Sequence, residues 1–537
     1  MLICYNKNMD EAIYENSVLS QTENFKKFAK RDILYFTDSN QGNYASSQVQ
    51  FQMADLSNQD SMNAFPESST TVPYVIRVSS TEDLADDDYM LTLKNGVQQI
   101  LSSVSFSLDN QELLNITENI NTANTFKILS QSSVDDERNL FDSIGFALDS
   151  SDSIEYTTGR GEGNGALFGT LPAIGDTVEG NKVNTGFIKR CEKYGFDPTS
   201  TETAKVQSLA TTIARRKSHR VRVSAKIIEY HLLVTIPFKF MTPDLVDKLP
   251  LCKGSFLKMN LNIHSGSTSF SVNHTTKAVT NLTSTTRFGV LPFMVSQPGN
   301  SWNTTADCDI TIVSGIASAG GTANDMIGSC TCNIVTYTAR PEAELEYLQS
   351  VPSKTIDYQA IHTNKLSNIA ANARFQFMVT SSHSRMRGLL IAPSLASVVN
   401  GAALPATSGG LVSCAESPFS SSPATCMKMA SLINLQIKVG HKSLWETPRS
   451  YDYDMAMSEM RLGASGILGL KEWSSAYGYI YVDLSRYAND GDDMQSKGLE
   501  VIGTNNSLLS CDYNFFLFYE NSFTLNVSTG KVSKVSM

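Results

Sequence analysis

Short apolar runs, interrupted by single polar residues, dominate the chain from Ile33 onwards. In SQVQFQM, Val49, Phe51 and Met53 are separated by one polar residue each, so an extended chain would carry all three on one face. Clusters of Gly, Asn, Asp and Ser separate this run from the next. Alternation of this kind between turn residues predicts a β-strand with one buried face.

The same pattern recurs along most of the sequence. Strands are predicted in DILYFTD, VPYVIRVSS and GVQQILSSVSFSLDN, in 221–238, 255–264, 308–315, 332–339, 373–380, 387–393, 433–440 and 477–485, in KTIDYQAI, and in 513–527. Helices are predicted only in 134–148, 242–251 and 341–349. This inventory indicates an all-β protein, built as sandwiches.

Changes in pattern divide the chain. Residues 1–32 form an N-terminal arm, which is either an amphipathic helix, from the spacing of its apolar residues, or a frayed terminus. Residues 150–205 are Gly-rich and irregular, which predicts a surface insertion. Pro341 starts a short acidic segment, so we place a boundary near 340, between a first sandwich at 33–340 and a second at 341–537. Each is long enough for an eight-stranded core.

Composition narrows the classes of function. Of 537 residues, 66 are Ser, 44 Thr and 37 Asn, whereas only 18% are charged, and the net charge is −10. A mildly acidic chain argues against a protein that coats DNA, because such affinity comes from neutralising phosphates. No apolar run reaches the roughly 18 residues of a membrane helix, and the start lacks a signal-peptide pattern. We therefore expect a soluble protein made inside a cell, with its cysteines as buried thiols.

Sequence motifs typical of catalytic sites are absent from the chain. The sequence contains no phosphate-binding loop, H-E-x-x-H, nucleophile elbow or EF-hand pattern. Cys330 and Cys332 form a C-x-C without the second pair that zinc prefers. Ser255 and Lys258 form an S-x-x-K on a strand pattern, which we interpret as a chance match. We therefore predict no enzyme, and no catalytic, cofactor-binding or metal-binding residues.

One basic stretch, ARRKSHRVRVSAK, stands out in this acidic chain. Such a patch could hold DNA phosphates by counterion release, pair with acidic groups of a neighbouring subunit, or simply be solvated. The candidate contact residues are Arg215, Arg216, Lys217, Arg220, Arg222 and Lys226.

Several segments, taken in order, resemble a known family over about 33–530. They are DILYFTDSNQGNYASSQVQFQMADLSN, VPYVIRV, LKNGVQQILSSVSFSLDN, NTGFIKR, IPFKFMTPDLVDKLPLCKGSFLKMNLNIH, YTARPEAELEYLQSVPSKTIDYQAI, LSNIAANARFQFMVT, GLLIAPSL and YNFFLFYENSFTLNVSTGKV. Together they resemble the double jelly-roll major capsid proteins of polinton-like viruses, adintoviruses and virophages. The specificity lies in their order and spacing rather than in any single motif.

The resemblance implies a structural protein of the virion. It implies two eight-stranded jelly rolls in tandem, a homotrimer that forms a pseudo-hexameric capsomer, and an icosahedral capsid around a double-stranded DNA genome. Penton and minor capsid proteins would be its other partners, and no cofactor is implied. Apart from NTGFIKR, the insertion at 150–205 is not matched to the family pattern, and neither is the basic stretch.

A carbohydrate-binding or carbohydrate-active all-β protein is the alternative. A glycosidase needs two carboxylates about 5–10 Å apart, and sugar-binding proteins commonly expose aromatic platforms. Trp302, Trp445 and Trp473 each lie near a predicted turn. A tryptophan beside a turn more often closes the edge of a core, so this alternative is the weaker one.

Overall fold

The structure is a computed structural model. It describes residues 27–40, 48–84, 91–148 except 134, 186–190 except 188, 218–273 except 243, 278–295, 305–314, 329–395, 415–418, 432–485 except 441, 461–466, 471–472 and 474–476, and 496–534 except 508–509.

Fourteen strands precede residue 340 in the described part of the chain. They are β1 (Phe28–Thr37), β2 (Gln48–Met53), β3 (Met62–Ser80), β4 (Leu91–Leu93), β5 (Leu101–Leu108), β6 (Gln111–Ile116), β7 (Ser218–Ser224), β8 (Ile227–Pro237), β9 (Leu257–Ile263), β10 (Gly266–Asn273), β11 (Ala278–Thr286), β12 (Phe293–Val295), β13 (Thr305–Ser314) and β14 (Thr331–Ala339). One sheet has the order β2-β9-β5-β6, and the facing sheet contains β1-β14-β3 with β8 on the other side of β3.

The long strand β3 carries an extension of the large sheet. Its first half pairs with β14, whereas its second half pairs with β13, which continues to β10 and β11. Strands β4 and β12 form a separate two-stranded ladder. Strands β13, β10 and β11 therefore extend the large sheet of the first sandwich without changing its eight-stranded frame.

Nine further strands form the second sandwich. They are β15 (Ser353–Ile369), β16 (Arg374–His383), β17 (Met386–Leu395), β18 (Leu432–Val439), β19 (Lys442–Ser443), β20 (Ile480–Asp483), β21 (Lys497–Asn505), β22 (Cys511–Asn526) and β23 (Val532–Lys534). The two sheets have the orders β15-β22-β17-β20 and β16-β21-β18-β19, and β23 pairs with β22.

Both sandwiches follow one topological rule. The first, eighth, third and sixth strands of the frame form one sheet, and the second, seventh, fourth and fifth form the other. This order is that of the jelly roll, an eight-stranded sandwich of two Greek keys. The prediction of an all-β chain with two tandem jelly rolls is confirmed.

Helices are few. The described helices with α geometry are α1 (Ile120–Gln131), α2 (Asp136–Ile144), α3 (Pro341–Ser350) and α4 (Tyr453–Met460). Helices α2 and α3 lie where the sequence predicted them, whereas α1 and α4 were not predicted. The predicted helix at 242–251 is wrong in type, since its ordered turn is a 3-10 helix at Val246–Lys248. In the described part, no helix is long and apolar enough to cross a bilayer.

Strand β1 begins within the predicted arm. Phe28 pairs with Ala339 of β14, and its ring lies 5.0 Å from that of Tyr337. A helical interpretation is therefore wrong for residues 28–31, because the sheet provides both backbone partners and a packing surface. Residues 1–26 of the arm lie outside the described residues.

Strand directions place the long connections of both jelly rolls at one end. Strands β1 and β3 both run antiparallel to β14, so the connections after β1, β3, β6 and β9 leave from the same end. The connections 81–100, 117–217 and 264–330 begin and end there, and 396–431 and 444–479 begin and end at the equivalent end of the second sandwich. We call this the loop end. The opposite, compact end holds the shorter connections and the start of β1.

Candidate functional site at the junction of the two sandwiches

Helix α1 inserts the ring of Phe126 between the two sandwiches, and we call this ring the wedge. Phe126, 5% exposed, lies 5.4 Å from Tyr479, 5.3 Å from Tyr481 and 6.4 Å from Phe518, measured between ring centres. The helix comes from the first sandwich, whereas the three partner rings belong to the second. Aromatic pairs at these separations add to the free energy gained by burial. A continuous hydrophobic core therefore crosses the junction.

At the loop end, residues 415–418 of the second sandwich dock onto the first; we call them the clasp. The fully buried Lys94 donates through Nζ to the carbonyl oxygens of Ala415 (3.2 Å) and Ser417 (2.9 Å). The backbone N–H of Leu291 also donates to Ala415 O, at 2.9 Å. A buried ammonium is stable only when its donors are satisfied, so this lysine holds the clasp in one position.

The compact ends of the sandwiches also interlock. Lys253 N donates to Val527 O at 3.0 Å. Gly530, at φ +64°, lies so close to the first sandwich that an added Cβ would be 2.6 Å from Lys253 O and 2.7 Å from the backbone of Ser255. Because loop end meets loop end and compact end meets compact end, the two jelly rolls lie side by side in the same orientation.

Replacing Gly530 with alanine tests this close approach. We expect Gly530→Ala to lower the free energy of unfolding by about 2–3 kcal/mol, because it adds a clash with backbone atoms to the cost of a positive φ. Gly440→Ala is the matched control, since φ is +62° there and nothing lies within 4 Å of the added Cβ. We expect about 1 kcal/mol for the control. Equal losses in chemical denaturation would contradict the cross-sandwich contact.

A polar cavity of about 710 Å³ lies beside α1, between the 239–248 segment and strands β15 and β22. Its wall is fixed by contacts across the junction: Lys248 Nζ donates to Asp357 O at 2.8 Å, and Gln359 N donates to Asp244 Oδ2 at 2.8 Å. Burial lowers the pKa of Lys127 to about 8 and raises that of Asp247. The described residues contain no group of three or more metal-ligating side chains. The cavity is lined by side chains of both sandwiches, most of them polar or charged.

The described part of the predicted insertion is anchored in the first sandwich. Arg190 is fully buried, and its guanidinium donates to Ala147 O at 2.5 Å and lies 3.5 Å from Met294 Sδ. Gly186 leaves no space for a side chain, because a Cβ would lie 2.1 Å from Leu148 O. The remainder of 150–205 lies outside the described residues.

We expect Arg190→Met to destabilise the protein by about 2–3 kcal/mol. Methionine retains much of the apolar stem but leaves the buried carbonyl of Ala147 without this donor. The change is measurable by thermal unfolding. Lys189→Met is the control, because Lys189 lies next to Arg190 but has a side chain that is 57% exposed. Equal shifts in the two variants would contradict an anchoring role.

The basic stretch is only partly described. Arg222 donates to the carbonyl of Leu84, and Lys226 to that of Thr81. Both lie at the β7–β8 turn, at the loop end. The backbone of Arg220 lies in β7, whereas Arg215, Arg216 and Lys217 lie outside the described residues. The structure thus brings two of the six residues together, and both support the loop that follows β3.

The cysteines and the S-x-x-K pair take part in packing and in hydrogen bonds of the fold. Cys330 and Cys332 are buried free thiols, as are Cys252, Cys308 and Cys511, which confirms the prediction for these five. Burial raises the pKa of Cys332 well above its usual value. Ser255 is buried, 3.1 Å from Cys252 Sγ, whereas Lys258 donates to Asn110 at the surface. Neither motif forms a reactive pair.

Two of the three tryptophans are described, and both are half-buried against the core. Trp473 Nε1 donates to Tyr479 O at 3.0 Å, and its ring lies beside Tyr451 and Tyr453. Trp445 is bonded through its backbone to Gln436. They close the edge of the second sandwich rather than stand out as platforms for sugars. Trp302 lies outside the described residues.

Sequence reasoning missed the junction itself. Phe126 is a single aromatic residue in the polar segment INTANTFKILSQ, and Lys94 is a single cation before a turn, so neither position carries a pattern. A signal existed only at the compact end, where Gly254 and Gly530 stand in short turn sequences. Both have positive φ, and each lies against the other sandwich.

Comparison with known proteins was made by sequence and by structure. No family model matches the chain, and no curated protein matches it by sequence. A chain in the cryo-EM structure of the Sputnik virophage superposes with a TM-score of 0.53 at 11% identity, covering 95% of this chain and 90% of that one.

The chain has the double jelly-roll fold.

Two further solved structures are similar at lower scores. The mavirus major capsid protein has a TM-score of 0.46 at 10% identity and covers 94% of this chain and 90% of its own. A chain of the PBCV-1 virus capsid has a TM-score of 0.42 at 8% identity, with 95% and 97% covered. The superposition on the Sputnik chain thus covers nearly the whole length of both chains.

Proposed function

We propose that this protein is the major capsid protein of a virus and acts as a structural tile rather than as an enzyme. The observation that carries the proposal is the junction, which holds two jelly rolls side by side in one orientation at the wedge, the clasp and the compact end. Such a block presents two equivalent sandwiches to its neighbours. The fold shared with a virophage chain and the resemblance in sequence support the same function.

Three copies would complete a ring of six sandwiches. In this proposal the homotrimer is a pseudo-hexameric capsomer, and capsomers tile an icosahedral shell around double-stranded DNA. Penton and minor capsid proteins would occupy other positions of the shell. Each lateral contact can be weak, because a tile held on several sides gains from multivalency. The division at residue 340, between β14 and α3, is the proposed boundary between the two halves of the tile.

The N-terminal arm and the basic stretch bear on which end of the protein would face a genome. Strand β1 starts at the compact end, whereas Arg222 and Lys226 lie at the loop end. The N-terminal arm and the basic stretch therefore leave from opposite ends, and only one of them can point into a shell. The basic stretch remains a proposed contact for DNA or for a neighbouring subunit, and an inward compact end would favour the subunit.

Electron microscopy of the purified protein tests this function. At high protein concentration we expect hexagonal plates or shells built from three-fold particles. Particles of single chains, with no lateral association under any buffer condition, would contradict the proposal. Retention on a panel of immobilised glycans, lost in Trp445→Ala and Trp473→Ala, would instead favour the carbohydrate-binding alternative.

A further inference from the structure

Two histidines of the second sandwich face each other across its two sheets. His362 lies on β15 and His383 at the end of β16, and their ring centres are 4.7 Å apart, with 39° between the ring planes. His362 pairs with Leu517 and His383 with Lys497 in the backbone ladders. Strand pairing fixes the backbone of both residues, and the histidine side chain is short. The two rings are therefore held close together.

The separation of the rings matches that of two imidazoles on one metal ion. With a metal–nitrogen bond of about 2.1 Å and about 1.1 Å more to the ring centre, two ligands at about 90–110° have centres about 4.5–5.3 Å apart. The observed 4.7 Å lies inside this interval. Both rings are half-buried, so water has access to fill the remaining coordination positions.

Hydrogen bonding fixes one of the two rings. Thr380 Oγ1 lies 2.7 Å from His383 Nδ1, which leaves Nε2 as the ring nitrogen for a ligand. A hydrogen bond donated by the second ring N–H is the usual way in which proteins orient a metal-binding histidine, and Thr380 Oγ1 can accept it. Tyr519 packs edge-on against the same ring at 4.5 Å.

We propose that His362 and His383 form a binding site for one divalent first-row transition metal of the kind that imidazole prefers, such as Zn²⁺ or Cu²⁺. His383 Nε2 and a ring nitrogen of His362 would be the protein ligands, Thr380 would position His383, and water would complete the coordination shell. The site does not depend on the proposed capsid function.

Titration of the full-length protein with ZnCl₂ in a calorimeter tests the site. We expect one Zn²⁺ per chain, affinity lost by about 100-fold or more in His362→Asn and in His383→Asn, and about 10-fold in Thr380→Val, which removes only the positioning bond. His441→Asn is the control and should bind like the wild type.

Folding of each variant is checked by its melting temperature without metal, and Thr380→Val and His383→Gln keep the test decisive if one asparagine variant does not fold. No saturable binding to the wild type would overturn the proposal. Binding that persists unchanged in both histidine variants would also overturn it, because the metal would then lie elsewhere.

Discussion

Phe126→Ala should destabilise the protein by about 4 kcal/mol and loosen the junction between its two jelly rolls. Truncating a buried phenylalanine typically costs about 3–5 kcal/mol. Here the ring also provides the contacts of α1 with Tyr479, Tyr481 and Phe518. Calorimetry gives the loss of stability, and amide hydrogen exchange of 477–484 and 516–518 gives the loosening.

Phe106→Ala is the matched control for this prediction. Phe106 is also fully buried, but its ring neighbours, Phe65 at 6.4 Å and Phe238 at 6.3 Å, belong to the first sandwich. We expect a similar loss of stability with unchanged exchange in the second sandwich. If the amide hydrogens of 477–484 are equally well protected from exchange in both variants, α1 does not hold the two sandwiches together.

Acidification from pH 7 to pH 4 should cost about 3 kcal/mol of stability through His264 alone. This residue follows β9 and is fully buried, and burial, with a smaller contribution from Lys94, lowers its pKa to about 3. The unfolded chain takes up the proton near pH 6.5, whereas the folded protein does not until about pH 3. Stability is therefore intact above pH 6.5 and falls as the pH is lowered towards 3.

The variant His264→Phe isolates this effect. It keeps a ring of similar size beside Phe288, whose ring centre lies 6.1 Å from that of His264, and removes the titration. The difference in unfolding free energy between wild type and variant should change by about 3 kcal/mol between pH 7 and pH 4. A difference that stays constant over this range would show that His264 is protonated equally in both states.

Strand alternation made most of the fold predictable. Val49, Phe51 and Met53 were expected on one face, and all three are buried. The same rule failed for β10 and β11, because GSTSFSVN and AVTNLTSTT contain few apolar residues and are ordered by pairing with β13 and with each other. Strand β21, KGLEVIGTN, carries the signal in Leu499 and Val501 but is not among the predicted strands.

Helix α1 shows why the junction could not be predicted. Its Asn and Thr residues read as a polar loop, yet most of the helix is buried. Two of them bond to a residue of the preceding segment: Asn121 Nδ2 donates to Gln99 Oε1 at 2.9 Å, and Gln99 Nε2 donates to Thr125 Oγ1 at 2.7 Å. Partners so far away in sequence leave no periodic pattern, because tertiary contacts rather than local propensity decide the burial.

The clasp at 415–418 is invisible for the same reason. Its position depends on Lys94, more than 300 residues earlier in the chain. The site residues inferred from charge, in contrast, are visible because they are close in sequence, and Arg222 and Lys226 donate to backbone carbonyls of the loop after β3. Contiguous patterns are thus readable from a sequence, whereas the surfaces that join two sandwiches are not.

Sedimentation equilibrium of the purified protein at neutral pH tests most directly whether two co-oriented jelly rolls make a self-associating tile. One chain has a mass of 58.7 kDa, and the account predicts a particle of three times that mass at micromolar concentrations, with Phe126→Ala shifted towards the monomer. A wild-type protein that remains at 58.7 kDa across all concentrations would contradict it.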